Sequence, residues 1–150
     1  MTAPPPGYRP LDVGGDFVAS IGPLFVLHEG DRVALGFRVE ARHTNTLGIC
    51  HGGMMATFCD MLLPISAHVL SGELGNRFLP TINLQIDYLA AAPLGSWVQG
   101  EAQLLRTTRS LVFMQGLVEA DGVPVARTSG IFKIGPPFED ASESAPRASP

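Results

Sequence analysis

Asp60 is a carboxylate in a run that offers it no partner. The stretch Gly52-Gly-Met-Met-Ala-Thr-Phe-Cys-Asp-Met-Leu-Leu-Pro-Ile-Ser-Ala-His-Val-Leu70 is apolar nearly all round, the pattern of a helix buried on most sides. A carboxylate left unpaired there is costly, so Asp60 is either a structural cap or pair, or a reacting group. Immediately upstream, His43-Thr-Asn-Thr-Leu-Gly-Ile-Cys-His-Gly-Gly53 is a polar loop that runs straight into the helix. Glycines let a ligand approach the backbone closely. The first amides of a helix lack internal partners and carry the positive end of its dipole. Together these suit a developing negative charge, such as a carbonyl oxygen under nucleophilic attack.

Gly53 and Asp60 are seven residues apart, nearly two helical turns, so they share a face but stand ~10 Å apart along the axis. One carbonyl cannot reach both in the same chain. If they serve one reaction, the donor amide comes from a second copy whose helix runs antiparallel. The spacing therefore favours a two-fold dimer with composite sites. Cys50 and Cys59 are flanked by apolar side chains and read as core packing rather than as a nucleophile with His51 as its base. His43, Cys50 and His51 match no zinc-ligand spacing, so no metal is expected.

These groups need a frame. Leu24 to Glu40 reads as two strands around a Glu29-Gly30-Asp31 turn, with Val33, Leu35, Phe37 and Val39 alternating against Ala34, Gly36 and Arg38. Thr81 to Leu89 alternates more cleanly: Ile82, Leu84, Ile86 and Tyr88 share one face, Thr81, Asn83, Gln85 and Asp87 the other. Trp97 to Arg106, Ser110 to Glu119 and Val123 to Ile134 make three further strands. Arg106-Thr-Thr-Arg109 joins the first two, and Ala120-Asp-Gly122 forms the next hairpin turn. Gly72 and Gly75 sit where the chain leaves the helix. Pro64 removes the amide that would bond to the Asp60 carbonyl, so a kink or local loosening is expected there. Strand pair, one helix, then four strands joined by short turns make an antiparallel sheet with the helix against its face. The class is α+β.

At 150 residues the chain is one ordinary domain. Its 16% of charged residues is low, a hint that another subunit covers part of the surface. A net charge of −4 supplies no general basic field, which argues against nucleic acid and anionic membrane as partners. The beginning lacks the pattern of a signal peptide, and no uninterrupted apolar run reaches the ~18 residues of a membrane span. A soluble, cytoplasmic protein is expected. Residues 1 to 10 and 136 to 150 read as flexible tails rich in proline and polar residues, flanking a working domain of 11 to 135.

Taken together, the loop His43 to Gly53 with Asp60 at its distance resembles the motif of the PaaI-like hotdog acyl-CoA thioesterases, within the 4-hydroxybenzoyl-CoA thioesterase superfamily. Thr81 to Ala92, with Asp87-Tyr88 and then Pro93, is similar to the long central strand of that family, so the resemblance covers about residues 20 to 134. It implies an antiparallel sheet of five to six strands wrapped around one long buried helix. It also implies homodimers that pair into homotetramers, and no cofactor beyond the coenzyme A of the substrate. By the same resemblance Asp60 matches the carboxylate that attacks the thioester or activates water. Gly52 matches the amide that polarises the thioester oxygen. Asn45 and His51 match polar groups beside the site, and Thr81 the hydroxyl that helps orient water.

Gly53, Met54, Met55 and Phe58 are then expected along an acyl tunnel. Arg106, Thr107, Thr108 and Arg109 are expected where such proteins meet the nucleotide and phosphates of coenzyme A, for which arginine forks are well shaped. Pro64 is the departure, and it bears on the placing of Asp60. The expected reaction is hydrolysis of an acyl-CoA to free acid and CoA. A hotdog dehydratase or hydratase normally shows a His-Phe-Pro type loop or another Asp/His spacing, and neither is present. A non-catalytic acyl-CoA-binding module usually lacks the carboxylate and carries a DNA-reading helix pair.

Overall fold

The alternating segments are laid out as one antiparallel sheet in the computed structural model, which describes residues 3–138. In chain order come β1 (Arg9–Pro10), α1 (Gly15–Ile21), β2 (Phe25–Glu29), β3 (Arg32–Arg38), a 3-10 turn (Ala41–His43) and α2 (Gly52–Leu70). Then follow β4 (Thr81–Tyr88), β5 (Trp97–Thr107), β6 (Leu111–Ala120) and β7 (Val123–Lys133). Across the sheet the order is β1-β2-β3-β5-β6-β7-β4. The β6–β7 hairpin turns on Asp121 (φ 46°) and Gly122 (φ 84°), two successive positive φ values whose twist matches that of the strands.

The long helix lies close on the sheet because side chains are missing beneath it. A Cβ on Gly100 of β5 would stand 2.6 Å from Leu62, and one on Gly130 of β7 would stand 2.9 Å from Leu63. Phe58 fills the adjoining space, with its ring centroid 5.0 Å from that of Phe37. Phe37, Phe58, Leu62, Leu63, Val98, Val118 and Phe132 are all fully buried. Truncating such an aromatic destabilises a domain by ~3–5 kcal/mol.

This is the expected hotdog arrangement, with one strand more than the five to six anticipated. The additional strand is β1, two residues long and containing Pro10, too short to show any alternation. Helix α1 is equally illegible: it follows Gly14 and starts on Gly15, both at positive φ, and it buries only Val18. Within the expected N-terminal tail, Tyr8 donates to Gln99 Oε1 at 3.1 Å and meets the Trp97 ring edge-on at 5.0 Å. At the other end Phe138 packs against Phe78 at 5.7 Å between centroids, and residues 139–150 lie outside the described part.

The expectation of a helix buried on most sides is corrected. Met54, Met55, Phe58, Cys59, Leu62, Leu63, Ser66 and Ala67 are buried, whereas Gly53 is exposed and Thr57, Asp60, Met61 and Pro64 are partly so. Hydropathy records which faces prefer apolar surroundings, not what covers them. By length and composition α2 is the one helix among the described residues apolar enough to cross a bilayer, yet its apolar side is spent on the sheet. It continues through Pro64 without interruption.

Candidate active site

Strand β4 is an edge strand in this chain, not a central one. It pairs with β7 on one side and has no strand on the other among the described residues. Its two ends touch α2 at two chemically distinct places.

At the first end, regular alternation would put Thr81 beside Asn83, Gln85 and Asp87, away from the helix. The ladder is not regular. Thr81 pairs with Phe132 and Asn83 with Ile131, so Ile82 is an extra residue in a β-bulge. Phe132 is fully buried on the helix side, and Thr81, opposite it, turns to that side too. Its hydroxyl donates to Asp60 Oδ1 at 2.6 Å. Ile82, expected on the apolar face, is 56% exposed. Bulges re-aim side chains in this way, and a period-2 pattern carries no trace of them.

At the other end Tyr88 stays in register on the helix side, and its hydroxyl donates to the Gly52 carbonyl at 2.7 Å. The sequence shows Tyr88 only as a member of the apolar face. The signal it does carry is the hydroxyl, which on an inward-facing tyrosine normally finds an acceptor.

The loop before α2 is built around its own polar side chains. His51 caps the helix: its Nδ1 accepts the Gly53 amide at 2.8 Å, which puts the ring proton on Nε2. That bond commits Gly53. Gly52 is the first helical residue, and its amide has no partner within the helix. Asn45 Oδ1 accepts the Leu47 amide at 2.9 Å and the Ile49 amide at 3.5 Å, so its carbonyl end is structural and its NH2 is the end left to donate. His43 is 3% exposed; its Nδ1 accepts the Glu40 amide at 3.0 Å, and its Nε2 lies 2.7 Å from the Ile21 carbonyl. It is a satisfied core histidine whose carbonyl receives the His51 amide at 2.8 Å.

Three of the residues expected along the acyl tunnel lie in the core of the chain. Phe58, Met54 and Met55 are buried against the sheet; they build the core, and the open side of the helix near Asp60 is formed by Thr57, Met61 and Pro64 instead. Gly52 and Asp60 of one chain stay ~12 Å apart along the helix. Arg106 and Arg109 are exposed where β5 passes to β6, and Thr108 Oγ1 ties that turn by accepting the Leu111 amide at 3.0 Å. Thr107, Val112, Phe132 and Thr81 form one row across β5, β6, β7 and β4. Three strand spacings, ~14 Å, thus separate the basic turn from the Asp60–Thr81 pair.

Burial pushes the Cys50 thiol up to about 11 and the Cys59 thiol up to about 12. Neither is a thiolate near neutral pH, which sets both aside as nucleophiles. Among the described residues no group of three or more His, Cys, Asp or Glu side chains is placed to hold a metal ion.

The family model described as Thioesterase superfamily matches residues 47–126, more than half of the chain and all of α2. Human acyl-coenzyme A thioesterase 13 is 30% identical over 82 residues, a match covering 55% of this chain and 56% of the human protein. The crystal structure of zebrafish thioesterase superfamily member 2 superposes with a TM-score of 0.72 at 27% identity, covering 81% of this chain and 88% of the other. The phenylacetic acid degradation protein PaaI of Thermus thermophilus shares the fold, with a TM-score of 0.65 at 23% identity over 78% of this chain and 96% of its own. With a helix laid on an antiparallel sheet and a family match across its core, the chain belongs to the thioesterase superfamily, as an enzyme with the hotdog fold.

Proposed function

We propose that the protein hydrolyses acyl-CoA thioesters to a carboxylic acid and free CoA, in two sites completed across a homodimer. The observation that carries this reading is the pair of clasps on β4: Thr81 on Asp60 at one end, Tyr88 on Gly52 at the other. Among the described residues no strand covers the outer edge of β4, where a second β4 can pair. Antiparallel pairing about the strand centre sets Thr81 of one protomer opposite Tyr88 of its partner. Asp60 of one chain then comes towards the Gly52 amide of the other, which removes the difficulty that the two are too far apart within one helix. Such dimers are expected to pair again into a homotetramer.

In this site the thioester oxygen lies at the Gly52 amide, at the positive end of α2. The identity of residue 52 supports this. Its φ is not positive, and an added Cβ would meet Tyr88 only at 3.5 Å, ordinary contact. Neither the backbone nor the packing of the chain asks for glycine there, whereas close approach of a ligand does. Asp60 of the other chain removes a proton from water as it attacks the thioester carbon, or attacks that carbon itself to form an anhydride that water then opens. The Thr81 hydroxyl occupies Oδ1 and leaves Oδ2 to react. As the tetrahedral intermediate collapses, the carbon–sulfur bond breaks and CoA leaves as a thiolate that takes up a proton.

In this reading the His51 Nε2–H and the Asn45 NH2 donate to water or the carbonyl. The acyl group runs along the open strip of α2 beside Met61, covered by the partner. Arg106 and Arg109, with Thr107 and Thr108, meet the phosphates of CoA at the same end of the sheet as Thr81. No metal or redox cofactor enters the reaction.

Thiol release from a panel of acyl-CoAs tests the activity and reads out the acyl preference. Asp60→Asn abolishes turnover while leaving substrate affinity largely in place; full retained activity in that variant refutes the assignment.

A further inference from the structure

We infer that Tyr88 is a positioning residue for the Gly52 amide, its hydroxyl holding the first turn of α2 so that this N–H points at the thioester oxygen. The inference rests on the reading of Gly52 as the donor to that oxygen. Helix α2 begins with two glycines, the poorest helix formers after proline, and a helix end of this kind frays unless something outside it holds it. Two bonds do so. His51 Nδ1 takes the Gly53 amide at 2.8 Å, and the Tyr88 hydroxyl takes the Gly52 carbonyl at 2.7 Å.

The two tethers differ in what stands behind them. His51 belongs to the same loop as the glycines, a loop anchored just upstream, where the His51 amide donates to the His43 carbonyl and the Cys50 amide to the Ala92 carbonyl, each at 2.8 Å. Tyr88 belongs to β4, which is laddered to β7 along its length. Tyr88 therefore ties the donor amide to the sheet, and the same strand holds Asp60 through Thr81. One rigid element sets both reacting groups. A preformed donor stabilises a developing oxyanion because nothing has to reorganise when charge appears, and small misplacements of reacting groups are expensive in rate. Burial raises the Tyr88 phenol above its usual value, so it remains a donor through neutral and mildly alkaline pH.

The alternative is that the ring merely packs on Gly52, within 3.6 Å of a Cβ placed there. Tyr88→Phe keeps that packing and removes only the bond. The expected result is a kcat lower by about tenfold with KM within about twofold of the wild type. The decisive reading is the carbonyl stretch of a 13C-labelled acyl-CoA bound to Asp60→Asn, which reports polarisation of the thioester in the folded complex alone. Asp60→Asn is expected to show a band red-shifted from free thioester, and adding Tyr88→Phe is expected to return it part of the way and broaden it. An unchanged band in the double variant, or a wild-type kcat in Tyr88→Phe, overturns the role of Tyr88 and leaves Gly52 as the donor. No red shift in Asp60→Asn itself overturns the reading of Gly52, and the inference falls with it. Difluorotyrosine at position 88 lowers the phenol pKa without changing the shape; kcat then falls as that phenol ionises, and a pH profile without this limb also counts against the inference.

Discussion

The two ends of β4 reach the same helix by different means. At Tyr88 the ladder is regular and a long phenol spans the gap to a backbone carbonyl. At Thr81 a short side chain makes the contact only because the bulge at Ile82 turns it over, and its partner is a carboxylate. In the proposed site, one end orders a stretch of backbone that must stay uncovered, and glycine with a remote tether achieves that. The other end must fix a charged side chain, which a short, direct hydroxyl does better than a long one. Precision at the amide comes from ordering the chain, and precision at the carboxylate from a single hydrogen bond.

The largest effect is expected at the carboxylate. Asp60→Asn is expected to lower kcat by about 10²–10⁴-fold with acyl-CoA affinity retained, measured by turnover beside calorimetric binding. At the opposite end Gly52→Pro removes the N–H and little else. Proline is favoured as the first helical residue, and His51 before it is already extended, with ψ 139°, as a residue preceding proline must be. Its kcat is expected to drop about 10²–10³-fold at nearly unchanged melting temperature.

Mixing these two variants tests whether the sites are shared between protomers. In a mixed dimer with composite sites, one site has lost both groups and the other has both intact. Activity per mixed dimer then returns to about half that of the wild type. Sites contained within single chains would give none.

Thr81→Val is expected to lower kcat about tenfold, in keeping with one lost hydrogen bond to a charged group, while stability barely changes. Arg106→Ala with Arg109→Ala is smaller and of another kind: KM for acyl-CoA rises several-fold at low salt, kcat is unaffected, and the difference shrinks as salt is added. The smallest effect is on the thiols. The native Cys59 value lies above the ordinary 9.0, at about 12. The stabilisation it reports is therefore complete below pH 9 and is lost as pH rises from there towards 12. A thiol reagent at pH 8 should leave Cys59 unlabelled until the protein is denatured.

Legibility in the sequence followed the range of the interactions. Helix α2 was readable to its ends because an apolar run bounded by Gly-Gly and by Ser71-Gly72 is a local signal. Strands β2, β3, β5, β6 and β7 were readable within a residue or two, since alternation and turn residues are local as well. Asp60 stands out by residue type on an apolar helix, and the Gly-Gly start by its place at the helix end, whereas the roles of Gly52, His51 and Asn45 come from the resemblance to the PaaI-like thioesterases. The Tyr88 bond was missed because a tyrosine on an apolar face looks the same whether or not its hydroxyl is spoken for. The side of β4 that Thr81 faces was misread, since one extra residue inverts every assignment beyond it.

By itself, then, the sequence determined the class of the fold, the order of its elements and the residue types that could do chemistry, all written in short-range patterns of polarity and backbone preference. Tertiary structure decided which side of α2 is filled and which is open, that β4 lies at the edge of the sheet among the described residues, and that Thr81 turns inward to Asp60. Each of these depends on pairing between segments far apart in the chain, where the energy of a bond or a packed ring overrides the local period.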